Sequence, residues 1–257
     1  MTALERAWAA HPRKTRWALR GVSAVALLAA WQLYATAART LLAPPTAVFG
    51  AFVDVLVSDG ALRAAIADAL VHTAAGYALA VIVGVPVGFA LGLSEPLAEA
   101  FDPVVDALYA APVVALAPLF VIWFGLDPLA KAVLVFVFAV FVLVVTTETG
   151  VREVDSGVVD AARVFGAGPR TVYGEVYVRS ALPSVLTGLR LAAGRAVRGM
   201  VAAELFLYAD DLGSFLIDTA ATFRMAEFLA GVAALSLTGL LAMGAVSLVE
   251  RAVTRSG

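Results

Sequence analysis

The side chains that could do chemistry are few in this sequence and gather in two places. One is 160-DAARVFGAGPRTVYGEVYVRSALP-183, a polar, glycine-punctuated stretch; the other is the series Arg190, Arg195, Arg198 and Glu204 that follows it. Cysteine is absent, so disulfides, thiol nucleophiles and cysteine metal sites are unavailable, and His11 and His72 are too far apart to suggest a ligand pair. No Ser/His or paired-carboxylate arrangement accompanies the arginines, which argues against an intramembrane enzyme. The pattern G-x-x-x-x-G-K-[S/T] does not occur, so the chain carries no phosphate-binding loop of that kind. A net charge of -2 and a pI near 5.7 argue against a nucleic-acid partner.

These residues are carried by a chain made for a bilayer. Of its 257 residues 62% are hydrophobic and 15% charged, with a mean hydropathy of +0.93; soluble domains are roughly 45–50% apolar. Charge-poor runs at Gly21–Ala38, Thr73–Ser94, Ala107–Leu126, Ala132–Thr147 and Phe228–Val249 each approach the roughly 17–25 residues of a spanning helix. A sixth run, Ser184–Ala209, contains the arginine series. The expected fold is therefore an all-α membrane protein of about six spans. The first run follows Arg13, Lys14, Arg16 and Arg20 and ends near an A-x-A pattern at Ala35-Thr36-Ala37. A cleaved signal peptide is disfavoured, because the run exceeds the roughly 7–15 residues of a signal core and further spans follow. The expected organisation is a cytoplasmic segment 1–20, a transmembrane domain 21–249 with a loop at about 153–183, and a cytoplasmic tail 250–257.

Orientation follows Lys and Arg near the span ends. With the N-terminus inside, the cytoplasmic parts collect Arg6, Arg13, Lys14, Arg16, Arg20, Arg152, Arg163, Arg170, Arg179, Arg251 and Arg255, and the outer loops Arg39, Arg63, Lys131 and Arg224. An inner loop, Glu95–Asp106, departs from the bias by having acids only. Both termini and the 160–183 segment are thus expected in the cytoplasm.

Within that segment Asp155 or Ser156 can cap a short helix with Val158, Val159, Ala162 and Phe165 on one face, and Gly166 can end it in a left-handed conformation. Pro169 suits the first turn of a second helix with Val172, Tyr173, Val176 and Tyr177 as its apolar face. Helices below roughly 12–15 residues are marginal alone, so the pair needs a surface to lean on. That surface is either the chain's own membrane domain or a cytoplasmic partner. A DNA-binding helix-turn-helix is set aside, because the pair is tethered between two spans and carries mixed charge.

The segment resembles the EAA loop of permease subunits of ABC importers, with Asp160, Ala161, Ala162, Gly166, Val176 and Pro183 in the places of that pattern. Asp160 replaces the usual Glu, and Val178-Arg179 stands where the family often has Leu-Pro. The stretches 188-GLRLAAGRAVRGMVAAELF-206 and 115-ALAPLFVIWFG-125 resemble the nitrate/sulfonate/taurine branch, and the similarity runs from about Pro44 to near the C-terminus. The resemblance implies a type I importer permease fold in the cell membrane. It also implies coupling residues Asp160, Ala161, Ala162, Phe165, Gly166, Val176 and Pro183, a pair of ATPase subunits that hold ATP and Mg, an external solute-binding protein, and a second permease subunit, most simply another copy. The branch points to nitrate, a sulfonate or a taurine-like anion; a thiamine-precursor pyrimidine or riboflavin-like compound is the alternative. An ion-coupled secondary transporter is the runner-up class, and no clear internal repeat supports it.

Within the spans Gly84, Gly88 and Gly92 recur every four residues, which lets helix backbones approach closely. Pro86, Pro112 and Pro118 each remove a backbone donor. Tyr109, Pro112, Pro118 and Trp123 are therefore candidates for the translocation pathway, with packing kinks and an interfacial Trp123 as the alternatives. Arg195, Arg198 and Glu204 are the ionisable candidates. Either Arg190 and Arg195 snorkel to the interface while Glu204 bonds a neighbouring helix, or Arg198 faces the pathway and attracts an anion.

Overall fold

The computed structural model describes residues 12–37, 41–58, 60–207 and 212–255. Arg6 and Arg39 lie outside the described residues, as do the side chains of Arg13, Lys14, Arg251 and Arg255. The elements are α1 (Pro12–Ala37), α2 (Pro45–Ser58), α3 (Gly60–Leu93), α4 (Glu95–Ala110), α5 (Val113–Phe124), α6 (Pro128–Arg152), α7 (Ser156–Val164), α8 (Pro169–Thr171), a π-helical segment (Val172–Tyr177), α9 (Val178–Phe206), α10 (Leu212–Ala221) and α11 (Met225–Arg255). In water the run 133-VLVFVFAVFVLVV-145 of α6 has the β-branched and aromatic composition of a strand. In hydrocarbon every backbone N–H and C=O must be satisfied within the segment, and a helix does this whatever the side-chain propensity. Asp127 starts α6 by accepting from the Leu129 N–H at 2.9 Å, with Pro128 in the first turn.

The helices α1, α3, α6 and α11 contain windows long and apolar enough to cross a membrane, and α4 with α5 passes the same test as one span bent by 95°. At 29 residues, α9 is also long enough to cross, and its arginines are what lower its hydropathy. The chain divides into two compact units, Met1–Gly60 with Leu216–Ala233, and Ala61–Phe215 with Ala234–Gly257. In the first unit α2 meets α1 where Gln32 Oε1 accepts from the Thr46 N–H and hydroxyl, both at 3.3 Å. The second unit holds every residue singled out above for coupling, packing or passage.

Its centre is α6, whose neighbours on two sides are admitted by glycine. Along α3, a Cβ built on Gly84 would meet Leu143 Cβ at 2.9 Å, one on Gly88 the Val144 carbonyl at 2.5 Å, and one on Gly92 Val151 Cβ at 2.6 Å; Gly76 faces Ala132 and Val135 in the same way. The contacts advance together along both chains, so α3 and α6 run parallel. Against α9 they run in opposite order: Gly150 meets Ser184, Gly188 meets Thr146 and Leu143, and Gly199 meets Val135 and Phe138. Helices α6 and α9 are therefore antiparallel. Such backbone contact is how membrane helices gain van der Waals attraction where lipid removes the hydrophobic drive.

Three expectations change. The span expected at Ala107–Leu126 is instead broken between α4 and α5, where Ala111 is extended (φ -63°, ψ 139°) and Pro112 follows at φ -74°, ψ 79°. Proline 112 disfavours the helical region for Ala111 and supplies no donor, whereas Pro86, Pro103 and Pro118 lie inside continuous helices. The acidic inner loop Glu95–Asp106 is the first three turns of α4. Lys131, expected in an outer loop, is buried: its Nζ lies 3.1 Å from Glu204 Oε1, with 8% and 2% of the two side chains exposed. The pair borders an apolar cluster of Ala117, Phe120, Ala130, Leu134, Ala202, Ala203 and Leu207, which locks α5, α6 and α9 together.

Two outcomes follow from this packing. Gly88→Ala, whose Cβ would lie 2.5 Å from a carbonyl and 2.7 Å from Thr147 Cβ, should lower the thermal midpoint of the detergent-purified protein by the equivalent of about 1–3 kcal/mol. Gly21→Ala, with nothing within 4 Å, should leave it unchanged; equal midpoints for both variants would refute the close approach. Lys131→Met alone should destabilise by roughly 3–5 kcal/mol because it strips a buried carboxylate of its cation. Adding Glu204→Leu should recover most of that loss in a double-mutant cycle, whereas additive losses would show that the two charges do not interact.

Candidate functional site: an exposed helical tip and a charged span

The tip is built locally. Asp155 Oδ1 accepts from the Gly157 N–H at 2.7 Å and caps α7. At the other end Gly166 has φ +85°, its N–H bonds the Arg163 carbonyl at 2.9 Å, and the Ala167 N–H reaches back to the Ala162 carbonyl at 2.9 Å. This pair of bonds is a Schellman motif, and it needs a residue that tolerates a left-handed backbone. The expected apolar face divides in two. Val159 is buried and Ala162 half-buried, while Val158 is 51%, Val164 84% and Phe165 90% exposed. Two large apolar side chains thus stand out from the capped end of a nine-residue helix. Ala161 and Asp160 are exposed, and Asp160 meets Arg163 at 3.4 Å in a solvated pair of small energetic weight.

The second half differs from an independent short helix. Pro169 opens α8, but the chain passes without a break through the π-helical segment into α9. Gly174, a poor helix former, lies within the π turn, and Pro183 lies inside α9 on an exposed position. Val172 is buried, Val176 and Tyr177 are half-buried, and Tyr173 stacks on Tyr177 with ring centroids 6.0 Å apart. The α7 helix packs on the π turn. The tip is thereby joined, by packing and by chain continuity, to the end of a 29-residue helix.

Arg152, in the sequence only a charge that orients the chain, here ties α6 to α4. Its guanidinium bonds Glu148 one turn earlier on α6 at 2.7 Å and Asp102 on α4 at 2.8 Å. The Glu148/Arg152 spacing of four is readable in the sequence; Asp102, 50 residues away, is not.

Further along, Arg195 and Tyr109 come together: the guanidinium donates to the Tyr109 hydroxyl at 3.3 Å and lies over its ring at 5.0 Å from the centroid. Tyr109 is the second-last residue of α4, so the contact sits at the break before Pro112. Gly188 and Gly199 on α9 lie against Leu143 and Val135, so Arg195 between them falls level with the middle of the 25-residue α6. Of the two readings of the arginines, the one that puts Arg195 near the end of its span does not fit this level at the middle of α6. Arg198, one turn on, is exposed and has no hydrogen bond or ion pair among the described residues. Glu204 is held by Lys131, away from both. Pro118 and Trp123 lie on exposed faces of α5, and Trp123 is 66% exposed beside Phe120.

A cavity of about 700 Å³ lies between α3, α9 and α11 within the same unit. Its lining is apolar apart from Thr73, which bonds the Ala69 carbonyl at 2.6 Å, and Tyr77, which bonds the Leu189 carbonyl at 3.0 Å. It offers no charge to a polar solute.

Residues 76–255 match the family described as binding-protein-dependent transport system inner membrane component. SsuC of Bacillus subtilis (strain 168), named for aliphatic sulfonates transport, is 29% identical over 88% of this chain and 82% of its own. The taurine transport system permease protein TauC of Escherichia coli (strain K12) is 30% identical over 94% and 92%. The solved MetNI methionine ABC transporter in inward-facing conformations aligns with a TM-score of 0.58 at 19% identity, covering 75% of this chain and 95% of that one, a likeness of fold. With the family matched over more than two thirds of its residues, the chain belongs to the binding-protein-dependent transport system inner membrane components, as a permease of an ABC importer.

Proposed function

We propose that this permease forms half of the pathway of an importer for a small oxyanion or a zwitterion bearing one, of the sulfonate or taurine kind, handed to it by an external binding protein. The ATPase is a separate pair of subunits that hold ATP and Mg and dock on α7 at the cytoplasmic face, where both termini also lie. The observation that carries this reading is the tip itself. Phe165 at 90% and Val164 at 84% exposure, on a helix fixed by a cap and a Schellman motif, form a rigid apolar knob for a partner's cleft. Exposed aromatic anchors of this kind concentrate binding energy.

Force from ATP-driven closure enters at α7 and divides. One branch passes through the π turn into α9, which carries Arg195 and Arg198. The other passes from α6 through Arg152 and Asp102 to α4 and the break at Ala111-Pro112. Both branches end where Arg195 meets Tyr109, so one motion at the tip shifts both walls of that contact.

Phe165→Asp should abolish co-purification of the ATPase while leaving the permease inserted and folded. Gly166→Val meets no steric neighbour within 4 Å but forces a β-branched residue to φ +85°, at a cost of roughly 1–2 kcal/mol. It should weaken ATPase binding or uncouple hydrolysis from uptake, and Asp160→Ala should do less. Full association and coupled uptake in both Phe165→Asp and Gly166→Val would overturn the docking assignment.

The pathway needs a second set of walls, most simply supplied by a second copy in twofold symmetry. Two differently tagged copies expressed together should crosslink and co-purify from membranes; recovery of only one tag would exclude the homodimer.

A further inference from the structure

The charges of α9 do not balance, and the imbalance has a location. Near one end of the helix Glu204 and Lys131 neutralise each other at 3.1 Å beside the apolar cluster. At mid-span Arg195 has a tyrosine for its partner, and neither it nor Arg198 meets a carboxylate among the described residues. An ionisable group at that depth costs at least roughly 2.5–3.5 kcal/mol, and such groups normally face a cavity, another charge or the bundle interior. Two guanidinium groups three residues apart on one helix put their side chains on neighbouring positions, with Cβ atoms roughly 5–6 Å apart. They repel each other and attract the same counter-charge.

The surroundings leave room for that counter-charge. Gly194 lies within about 40° of Arg198 around the helix axis, and a Cβ there would meet nothing within 4 Å. Leu191, a turn earlier on the same side, is 52% exposed. The Arg195 guanidinium spends one N–H on the Tyr109 hydroxyl and rests a face on its ring, which fixes the plane of the fork and leaves further N–H donors unused. A planar fork of donors matches the paired oxygens of a sulfonate or carboxylate better than a point charge does.

We propose that Arg195 and Arg198 form a mid-membrane binding station for the oxyanion group of the substrate, with Tyr109 as the positioning residue that orients Arg195. This rests on the reading of the chain as an importer permease for small anions and adds where in the membrane the anion is held. The station lies where α9 and the end of α4 meet, so the coupling motion that shifts these two elements changes the spacing of its donors and releases the anion.

The chain's lack of cysteine makes the station measurable. Gly194→Cys is introduced into the full permease–ATPase complex in lipid nanodiscs. The thiol is treated with a sulfonate-bearing methanethiosulfonate and, separately, with its trimethylammonium counterpart, each rate normalised to that of free mercaptoethanol. A positive, water-filled station should favour the anionic reagent on the order of tenfold or more. The preference should fall to near unity when Arg195→Gln and Arg198→Gln are added, should persist with Arg198→Lys, and should be slowed by methanesulfonate. Leu191→Cys carries the same measurement if the glycine variant does not assemble.

Three results would overturn the station: thiols that react with neither reagent, which place this face against lipid or a subunit; a preference indifferent to both arginines; or loss of the permease dimer in Arg198→Gln, which makes the arginine an intersubunit ion-pair partner. Co-elution of the ATPase is recorded on the same samples. Co-elution with a failed station leaves the importer reading standing, whereas absence of ATPase from the cysteine-free parent overturns that reading instead.

Discussion

Close backbone contact on two sides of α6 is the constraint on which the second unit depends. Lipid tails are as apolar as leucine, so the helices gain nothing by hiding side chains from water. Their cohesion comes from contact area, and contact area requires glycine at the crossing points. Gly76, Gly84, Gly88 and Gly92 on α3 fix a parallel neighbour, and Gly150, Gly188 and Gly199 at the other interface fix an antiparallel one. Because these contacts run nearly the length of α6, the three helices are held in one register from the tip end to the Lys131–Glu204 pair. A register fixed over that distance ties the end of α6 beside the tip to the residues at its middle.

The parts legible in the sequence are those fixed by local chemistry. Asp155 as a cap, Gly166 as a left-handed stop and Pro169 as a helix opener are decided within a few residues, and all three appear as expected. The glycine repeat announced close packing, though not its partner, because a period of four on one helix says nothing about which neighbour it meets. The break at Ala111-Pro112 was hidden for a different reason. Pro86, Pro103, Pro112 and Pro118 look alike in sequence, and only the surroundings decide which of them ends a helix.

What the sequence could not give is pairing across distance. Arg195 and Tyr109 are 86 residues apart, Lys131 and Glu204 73, and Arg152 and Asp102 50. Each pair contains a residue whose sequence neighbourhood suggested another place: an outer loop for Lys131, an inner loop for Asp102, an interface for Arg195. Counting charges near span ends weighs each charge by position alone. It cannot register that a lysine at the start of a span has a carboxylate waiting on the helix beside it.

The same pairing separates a neutralised charge from uncompensated ones on α9. A buried ion pair is a weak source of stability, since desolvation offsets most of its attraction; between Lys131 and Glu204 its consequence is register, because a slip of one residue in the helices would separate the two groups. Arg195 is oriented by a neutral phenol, which leaves its charge intact. Had a carboxylate stood in place of Tyr109, the pair would be neutral and an incoming anion would have to displace it. A tyrosine orients the guanidinium while leaving its field uncancelled, so the positive charge stays available to an incoming anion.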